Sequence, residues 1–282
     1  GLGNYLDGIS THTYYYHTST EPGELTSPEQ GNVINSVRQL RALVDQYIGT
    51  SGKLINSEWG IEHRTDNGAC TTDSLRKQAA YFVRGHLICL GEGADATFLF
   101  YLADYGNAGF GMCFNLDEGI PFGPTKVSPK PQFMAAATLT RLFEGVTDPT
   151  PMTGLPPNAY GYRFNRGAQT LYAVWSDGQS QDVAVNVGTS SVTVIDFMGN
   201  EQVQSTSNGN VVIAANDCPT YLLVDGIPAS AWVEAVQALD GGTWSQADIA
   251  AIAVLESAVN DSPELSTARD AGKLLIAPFR GP

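Results

Sequence analysis

Positive charge is scarce in this chain, with 15 Lys and Arg against 29 Asp and Glu over 282 residues and a formal net charge of −14. Nucleic acids and anionic membrane surfaces are gripped by clustered cations, so this balance argues against both as partners. Long apolar runs are missing as well. No stretch approaches the ~18–20 residues that cross a bilayer. The N-terminus has no basic region followed by an apolar core, so no signal peptide is visible, and the abrupt Gly1-Leu2-Gly3 start reads as a mature product or a fragment. Cysteine is sparse: Cys70, Cys89, Cys113 and Cys218 are too widely spaced for a metal-ligand set. Glu62-His63-Arg64 holds one His and no second ligand at helical spacing, which reads as a solvated loop. The glycines at 91–93 and 106–111 lack the strand–turn–helix setting of a nucleotide loop. Neither a metal nor an organic cofactor is expected.

What is present is apolar and small-polar. Hydrophobic residues make up 43% of the chain, enough to bury a core in more than one domain, whereas charged residues are only 16%. Abundant Gly, Ser, Thr, Asn and Tyr suit an exported, carbohydrate-acting protein, so an extracellular location is expected. In such a setting Cys70 and Cys113, both in loops after successive strands, could pair. Four cysteines allow three full pairings, however, and nothing in the spacing chooses among them; Cys89 reads as a small core residue inside a helix.

The stretch Leu54-Ile55-Asn56-Ser57-Glu58-Trp59-Gly60 stands out. Two apolar residues open a strand that ends on a carboxylate and an indole. In a parallel α/β barrel, Glu58 would sit at the C-terminal mouth, where such barrels keep their chemistry. A carboxylate beside an aromatic ring suits attack on a sugar; the plain alternative is a surface Glu after a buried strand. Upstream, residues 5–16 alternate as a strand does, with His12 and Tyr14 pointing the same way near its end. Val33, Val37, Leu40, Val44 and Tyr47 or Ile48 recur at helical spacing over 32–48. Residues 5–60 therefore read strand, helix, strand. A helix from Thr72 or Asp73 to about Leu90 follows, then an apolar strand, Thr97–Leu102, of the kind buried on both faces of a parallel sheet. A glycine-rich loop and a helix over Pro131–Phe143 complete this part, with Phe133, Ala137, Leu139 and Phe143 expected inward.

Asp148-Pro149-Thr150-Pro151 and Pro156-Pro157 read as a boundary. Beyond it the period changes to two. Tyr160/Tyr162/Phe164, Leu171/Ala173/Trp175, Val183/Val185/Val187, Val192/Val194, Val211–Ile213 and Tyr221–Val224 predict six or seven short strands of an antiparallel sandwich. From 229 the pattern is helical again, and the sequon Asn260-Asp261-Ser262, followed by a proline, is a poor glycosylation site. The expected domains are thus 1–150, 158–226 and a helical tail, 227–282.

Taken together, Asp7-Gly8-Ile9-Ser10-Thr11-His12-Thr13-Tyr14, a strand ending Ser57-Glu58-Trp59-Gly60, Phe98-Leu99-Phe100-Tyr101 and a small sandwich with Leu171–Trp175 and Asp196–Asn200 resemble the C-terminal part of a clan A retaining glycoside hydrolase. The resemblance implies a fold of α/β plus all-β type: the last three βα units of a (β/α)8 TIM barrel, then an antiparallel β-sandwich. It implies that Glu58 is the nucleophile ending the seventh strand, that His12 and Tyr14 end the sixth, and that Thr97–Asp104 corresponds to the eighth. On this reading Tyr14 donates a hydrogen bond to Glu58, and His12, Trp59, Tyr101 and Asp104 contact a carbohydrate substrate. Each has a plain alternative: a core tyrosine for Tyr14, a buried imidazole for His12, and outward packing against a helix for Trp59.

One departure is large. The family's acid/base Glu, usually in Asn-Glu-Pro after the fourth strand, has no counterpart, and Gly199-Asn200-Glu201 falls in the sandwich. A retaining mechanism needs a second carboxyl group about 5–5.5 Å away, and the nearby candidates are Glu62, Glu92 and Asp104. About 145 residues precede the sandwich, against ~250 in a whole barrel. A half barrel exposes sheet edges and an apolar face, so completion by a second chain or a missing N-terminal segment is expected. The rival to an enzyme is a non-catalytic carbohydrate-binding or assembly protein derived from a glycosidase.

Overall fold

The computed structural model describes residues 5–15, 25–63, 71–104, 109–114 and 129–225. The proposed helical tail, its sequon, Arg64 and Cys70 lie outside them; Cys89, Cys113 and Cys218 carry free thiols.

Three βα units come first. β1 (Gly8–His12), β2 (Lys53–Trp59) and β3 (Ala96–Leu99) form a parallel sheet in the order β1-β2-β3, with α1 (Val33–Tyr47) and α2 (Thr72–Gly91) as crossovers and α3 (Pro131–Phe143) after β3. α1 buries Val33, Val37 and Val44, the expected stripe, while Tyr47 stays exposed. The cap of α2 is Thr71, one residue before the Thr72 or Asp73 expected to cap it. Thr71 Oγ1 accepts from the Ser74 amide at 3.0 Å, and Ser74 Oγ accepts from the Thr71 amide at 3.2 Å, a reciprocal box that satisfies two otherwise orphaned donors.

The register assigns the faces. Ile55 pairs with Ala96 and Asn56 with Thr97, so Leu54, Asn56 and Thr97 point to the helices, and Ser10, Ile55, Ser57, Ala96 and Phe98 to the opposite face. Ser10 Oγ donates to Ser57 Oγ at 2.7 Å on that open face. β3 is shorter than its apolar run, and it is not buried on both sides as the run suggests: Phe98 is 54% exposed and Leu99 43%. α3 is also rotated from expectation. Ala135, Ala136, Leu139, Leu142 and Phe143 face in, and Phe133 and Ala137 face out.

The proline-rich boundary is itself a strand. β4 (Thr147–Pro151) pairs antiparallel with β5 (Ala159–Arg166) at a sheet edge, where a proline removes no ladder donor that a neighbour needs. With β6 (Gln169–Ser176), β7 (Gln181–Asn186), β8 (Ser191–Ile195), β9 (Glu201–Ser205), β10 (Asn210–Ala215) and β11 (Thr220–Val224), it makes eight strands rather than six or seven. They form a six-stranded sheet, β4-β5-β6-β11-β8-β9, and a pair, β10-β7. β6 explains the run Leu171–Trp175. Leu171, Ala173 and Trp175 pack in the core shared with the helices, and Val174 packs in the valine core facing β7 and β10.

Two buried carboxylates, Glu29 and Glu92, link the helices to the sheet domain, the first within an ion-pair cluster and the second through the Tyr162 hydroxyl. Arg84 on α2 pairs with Glu29 and with Asp177 Oδ1 (2.8 Å), and Trp175 Nε1 donates to Glu29 Oε1 at 2.6 Å. Glu92, at the end of α2, accepts from Arg38 Nη2 (2.8 Å) and from Tyr162 Oη (2.7 Å). Glu92 precedes β3, so it sits at the strands' N-terminal side and is no acid for a site at the mouth.

Candidate active site at the C-terminal mouth of the parallel sheet

Asn56 builds the floor. Buried between the strand ends, it accepts from the Thr13 amide at 3.1 Å and donates to Thr97 Oγ1 and Cys89 Sγ, both at 3.4 Å, tying β2 to the neighbours on each side. Thr13 is thereby held buried, and the residues flanking it, His12 and Tyr14, stand out together. Two positions beyond Asn56, after an irregularity in the pairing, Glu58 lies opposite His12, and His12 Nδ1 is 3.3 Å from Glu58 Oε2. The Glu58 side chain is one-third exposed and opens to solvent.

Tyr14 belongs to the same group. Burial, and next the charge of Glu58, push its phenol well above the usual range, so it remains a protonated donor. Its ring lies 6.4 Å from His12, 6.2 Å from Phe100 and 6.4 Å from Phe110. Tyr101 stacks edge-on against Phe100 at 4.6 Å, across the cis peptide that joins them. Glu58, His12, Tyr14 and Tyr101 therefore gather at one rim, with Phe100 and Phe110 as aromatic neighbours that sequence reasoning overlooked. Phe100 was visible as the first residue past β3. Phe110 carried no signal beyond lying in a glycine-rich loop.

Trp59 is not a wall of this site. It is fully buried on the helix face, its Nε1 donates to the Phe82 carbonyl at 2.8 Å, and its ring fills the space left by Gly85 on α2. The pairing irregularity between Asn56 and Trp59 shifts the alternation here, so Glu58 opens to the mouth and Trp59 turns to the helices.

Asp104 is engaged within the protein, its side chain nearly buried. Its Oδ1 accepts from Lys130 Nζ and from the Gly111 amide, each at 2.7 Å, and its Oδ2 lies 3.5 Å from His63 Nε2. Burial alone would raise this carboxyl, but His63, Lys130 and Gly111 together hold it below the ordinary carboxylate range. The run at 62–63 is correspondingly not a solvated loop, because the His63 side chain is nearly buried against Asp104. Glu62 Oε1 faces the Gly109 amide at 3.4 Å. Among the described residues no group of three or more His, Cys, Asp or Glu is arranged to hold a metal ion.

What this geometry can do is present a solvent-open carboxylate, with an imidazole 3.3 Å away and a protonated phenol within reach of its charge, beside a cluster of aromatic rings. That suits covalent or electrostatic work on a neutral, ring-shaped ligand.

No family model matches the chain, and no curated protein matches it. Solved structures do. A family 39 glycoside hydrolase from the gut symbiont Bacteroides cellulosilyticus WH2 superposes with a TM-score of 0.56 at 20% identity, over 79% of this chain and 45% of its own. A conserved exported protein from Bacteroides fragilis superposes with a TM-score of 0.52 at 12% identity, over 78% of this chain and 46% of its own. At such identities the likeness concerns fold alone: this chain has the architecture of a partial α/β barrel with an adjoining sheet domain. The chain spans about half the length of the solved structures it matches.

Proposed function

We propose that this chain carries the nucleophile half of a retaining glycoside hydrolase site that cleaves β-linked polysaccharide or glycoconjugate outside the cell. The observation that carries the reading is Glu58, held at the C-terminal mouth of a parallel sheet with its oxygen 3.3 Å from His12. Glu58 attacks the anomeric carbon as the bond from that carbon to the glycosidic oxygen breaks, and the departing oxygen takes a proton from the acid/base carboxyl. Tyr14 donates a hydrogen bond that keeps the carboxylate oriented and ionised, and His12 and Tyr101 contact sugar hydroxyls. A covalent glycosyl–enzyme forms, and water then releases it.

The acid/base carboxyl comes from further βα units. β1 and β3 each pair on one side only among the described strands, and an apolar groove of about 320 Å³ lies beside β3, lined by Leu99, Phe82, Leu139 and Phe143. Strands added to these edges, from another segment of the polypeptide or from a second chain, would bring a carboxyl group across the mouth. A second reading is a carbohydrate-binding or assembly protein with no turnover. It is favoured by the fate of the three acid candidates, since Glu92 is at the wrong end, Asp104 is engaged, and Glu62 faces a backbone amide.

The test is trapping with fluorosugars that carry an activated leaving group. Such a leaving group departs without protonation, so the nucleophile reports even where the acid is absent. Peptide mapping should find the sugar on Glu58, and Glu58→Gln should abolish labelling. A label on another carboxylate overturns the assignment. Saccharide binding with no label at all favours the binder.

A further inference from the structure

We propose that Phe110 is the platform of a second sugar subsite beside the one at Glu58, and that Lys130 and Asp104 are positioning residues that hold it there. This rests on the reading that the mouth takes a saccharide, and it adds that the ligand spans at least two units.

The residues on either side of Phe110 are pinned. The Gly109 carbonyl accepts from Gln78 Nε2 at 2.7 Å, Lys130 Nζ at 3.3 Å and the His63 amide at 3.3 Å. The Gly109 amide faces Glu62, and the Gly111 amide donates to Asp104 at 2.7 Å. Gln78 and Lys130 are buried, and Gln78 also donates to the Ile61 carbonyl at 2.7 Å, so β2's exit, α2 and the lead-in to α3 all grip one loop. A Cβ at Gly109 would sit 2.6 Å from His63 Nε2, which is why a glycine lets the imidazole close on this segment. Taking an ammonium out of water is costly unless it is closely paired. Here it serves a loop at the mouth rather than the centre of a core.

The side chain so fixed is a partly exposed phenyl ring. Phe110 lies 5.8 Å from Phe100 and 6.4 Å from Tyr14, near-perpendicular to both, and 6.4 Å from Tyr101. Tyr14 in turn adjoins His12 and feels the charge of Glu58. Phe110 is thus one ring beyond the carboxylate's own neighbours, where the next unit of a bound chain would lie. The C–H face of a pyranose stacks on such a ring, and a ring already immobilised loses little further freedom on binding.

The experiment is calorimetric titration of the full chain, in a Glu58→Gln background, with cello- and xylo-oligosaccharides of increasing length starting from the monosaccharide. The parent should gain affinity on going from one unit to two. Phe110→Ala should lose about tenfold or more of that gain while binding the monosaccharide as before, and Phe110→Tyr should retain it. Lys130→Met and Asp104→Asn should lose the same chain-length gain, with no further loss when combined with Phe110→Ala, a non-additivity that general destabilisation does not produce. If Phe110→Ala binds every length like the parent, the subsite is wrong and the proposed function stands. If the parent binds no saccharide, both fall.

Discussion

Arg84 offers a sharp test of how the two halves are joined, because its environment leaves so little slack. The guanidinium is 0% exposed and the Glu29 side chain 2%, yet they pair directly, with Asp177 Oδ1 at 2.8 Å on the same Nη2. Burial opposes the charge on Arg84, but Glu29 and Asp177 together hold its pKa above the usual arginine value. Arg84→Met keeps most of the volume and leaves two carboxylates in or near the core without their cation. Removing one partner of a buried pair costs about 3–5 kcal/mol, far more than a surface pair. At roughly 2–4 °C per kcal/mol for a chain of this size, Tm should fall by about 6–20 °C. Adding Glu29→Gln should recover part of the loss in a double-mutant cycle. Urea and thermal unfolding followed by near-UV circular dichroism, which reads Trp175 at the joint, measures all of this. A loss under about 1 kcal/mol, or no recovery on adding Glu29→Gln, would refute the account.

Two further outcomes follow from burial. His86 is neutral and buried, its ring nitrogen 2.8 Å from Thr97 Oγ1, and burial depresses its pKa from 6.5 to about 3. The unfolded chain therefore binds a proton that the folded chain refuses between those values. The stability His86 secures is whole above about pH 6.5 and drains as pH falls towards about 3, by about 1.4 kcal/mol per pH unit. His86→Gln should flatten that part of the stability–pH profile, and matching slopes in the two proteins would defeat the explanation. Gly85→Ala should destabilise although alanine is the better helix former by ~1 kcal/mol, because the new methyl would overlap the Trp59 indole, and overpacking of a tight core costs about 1–3 kcal/mol. A variant that melts at or above the parent's temperature would show that the packing there is loose.

How far the residues announce this structure depends on whether a period governs them. β2 was legible as a strand because it alternates over Leu54 and Asn56, both buried, and Glu58 stands out as the carboxylate at its end. The place of Trp59 was not, since strict alternation from Leu54 and Asn56 would put it on the open face, and the pairing irregularity between Asn56 and Trp59 turns its indole to the helices, over Gly85. β3 misled for a related reason. An apolar run records a preference for two covered faces, but among the described residues only the helix side of β3 is covered, and Phe98 and Leu99 stay exposed. The prolines at 149 and 151 signalled a break, yet an edge strand tolerates them, and β4 forms.

The cluster around Phe110 was illegible for a different reason. Gln78, Asp104, Gly109 and Lys130 come from a helix and from loops, where no repeat relates one position to the next. Lys130, one residue before Pro131, reads as a solvated lysine at a helix start. Its burial follows only once Asp104 and the Gly109 carbonyl stand within reach of the same ammonium, and that is a property of chain closure. Spacing along a strand places a nucleophile at a mouth; what a mouth admits is decided by loops, and here by an ion pair that turns a glycine-rich segment into a fixed aromatic surface. On the proposed function, specificity at this site is therefore expected to change with substitutions at 104, 109, 110 and 130, and attack at the anomeric carbon with substitutions at 12, 14 and 58.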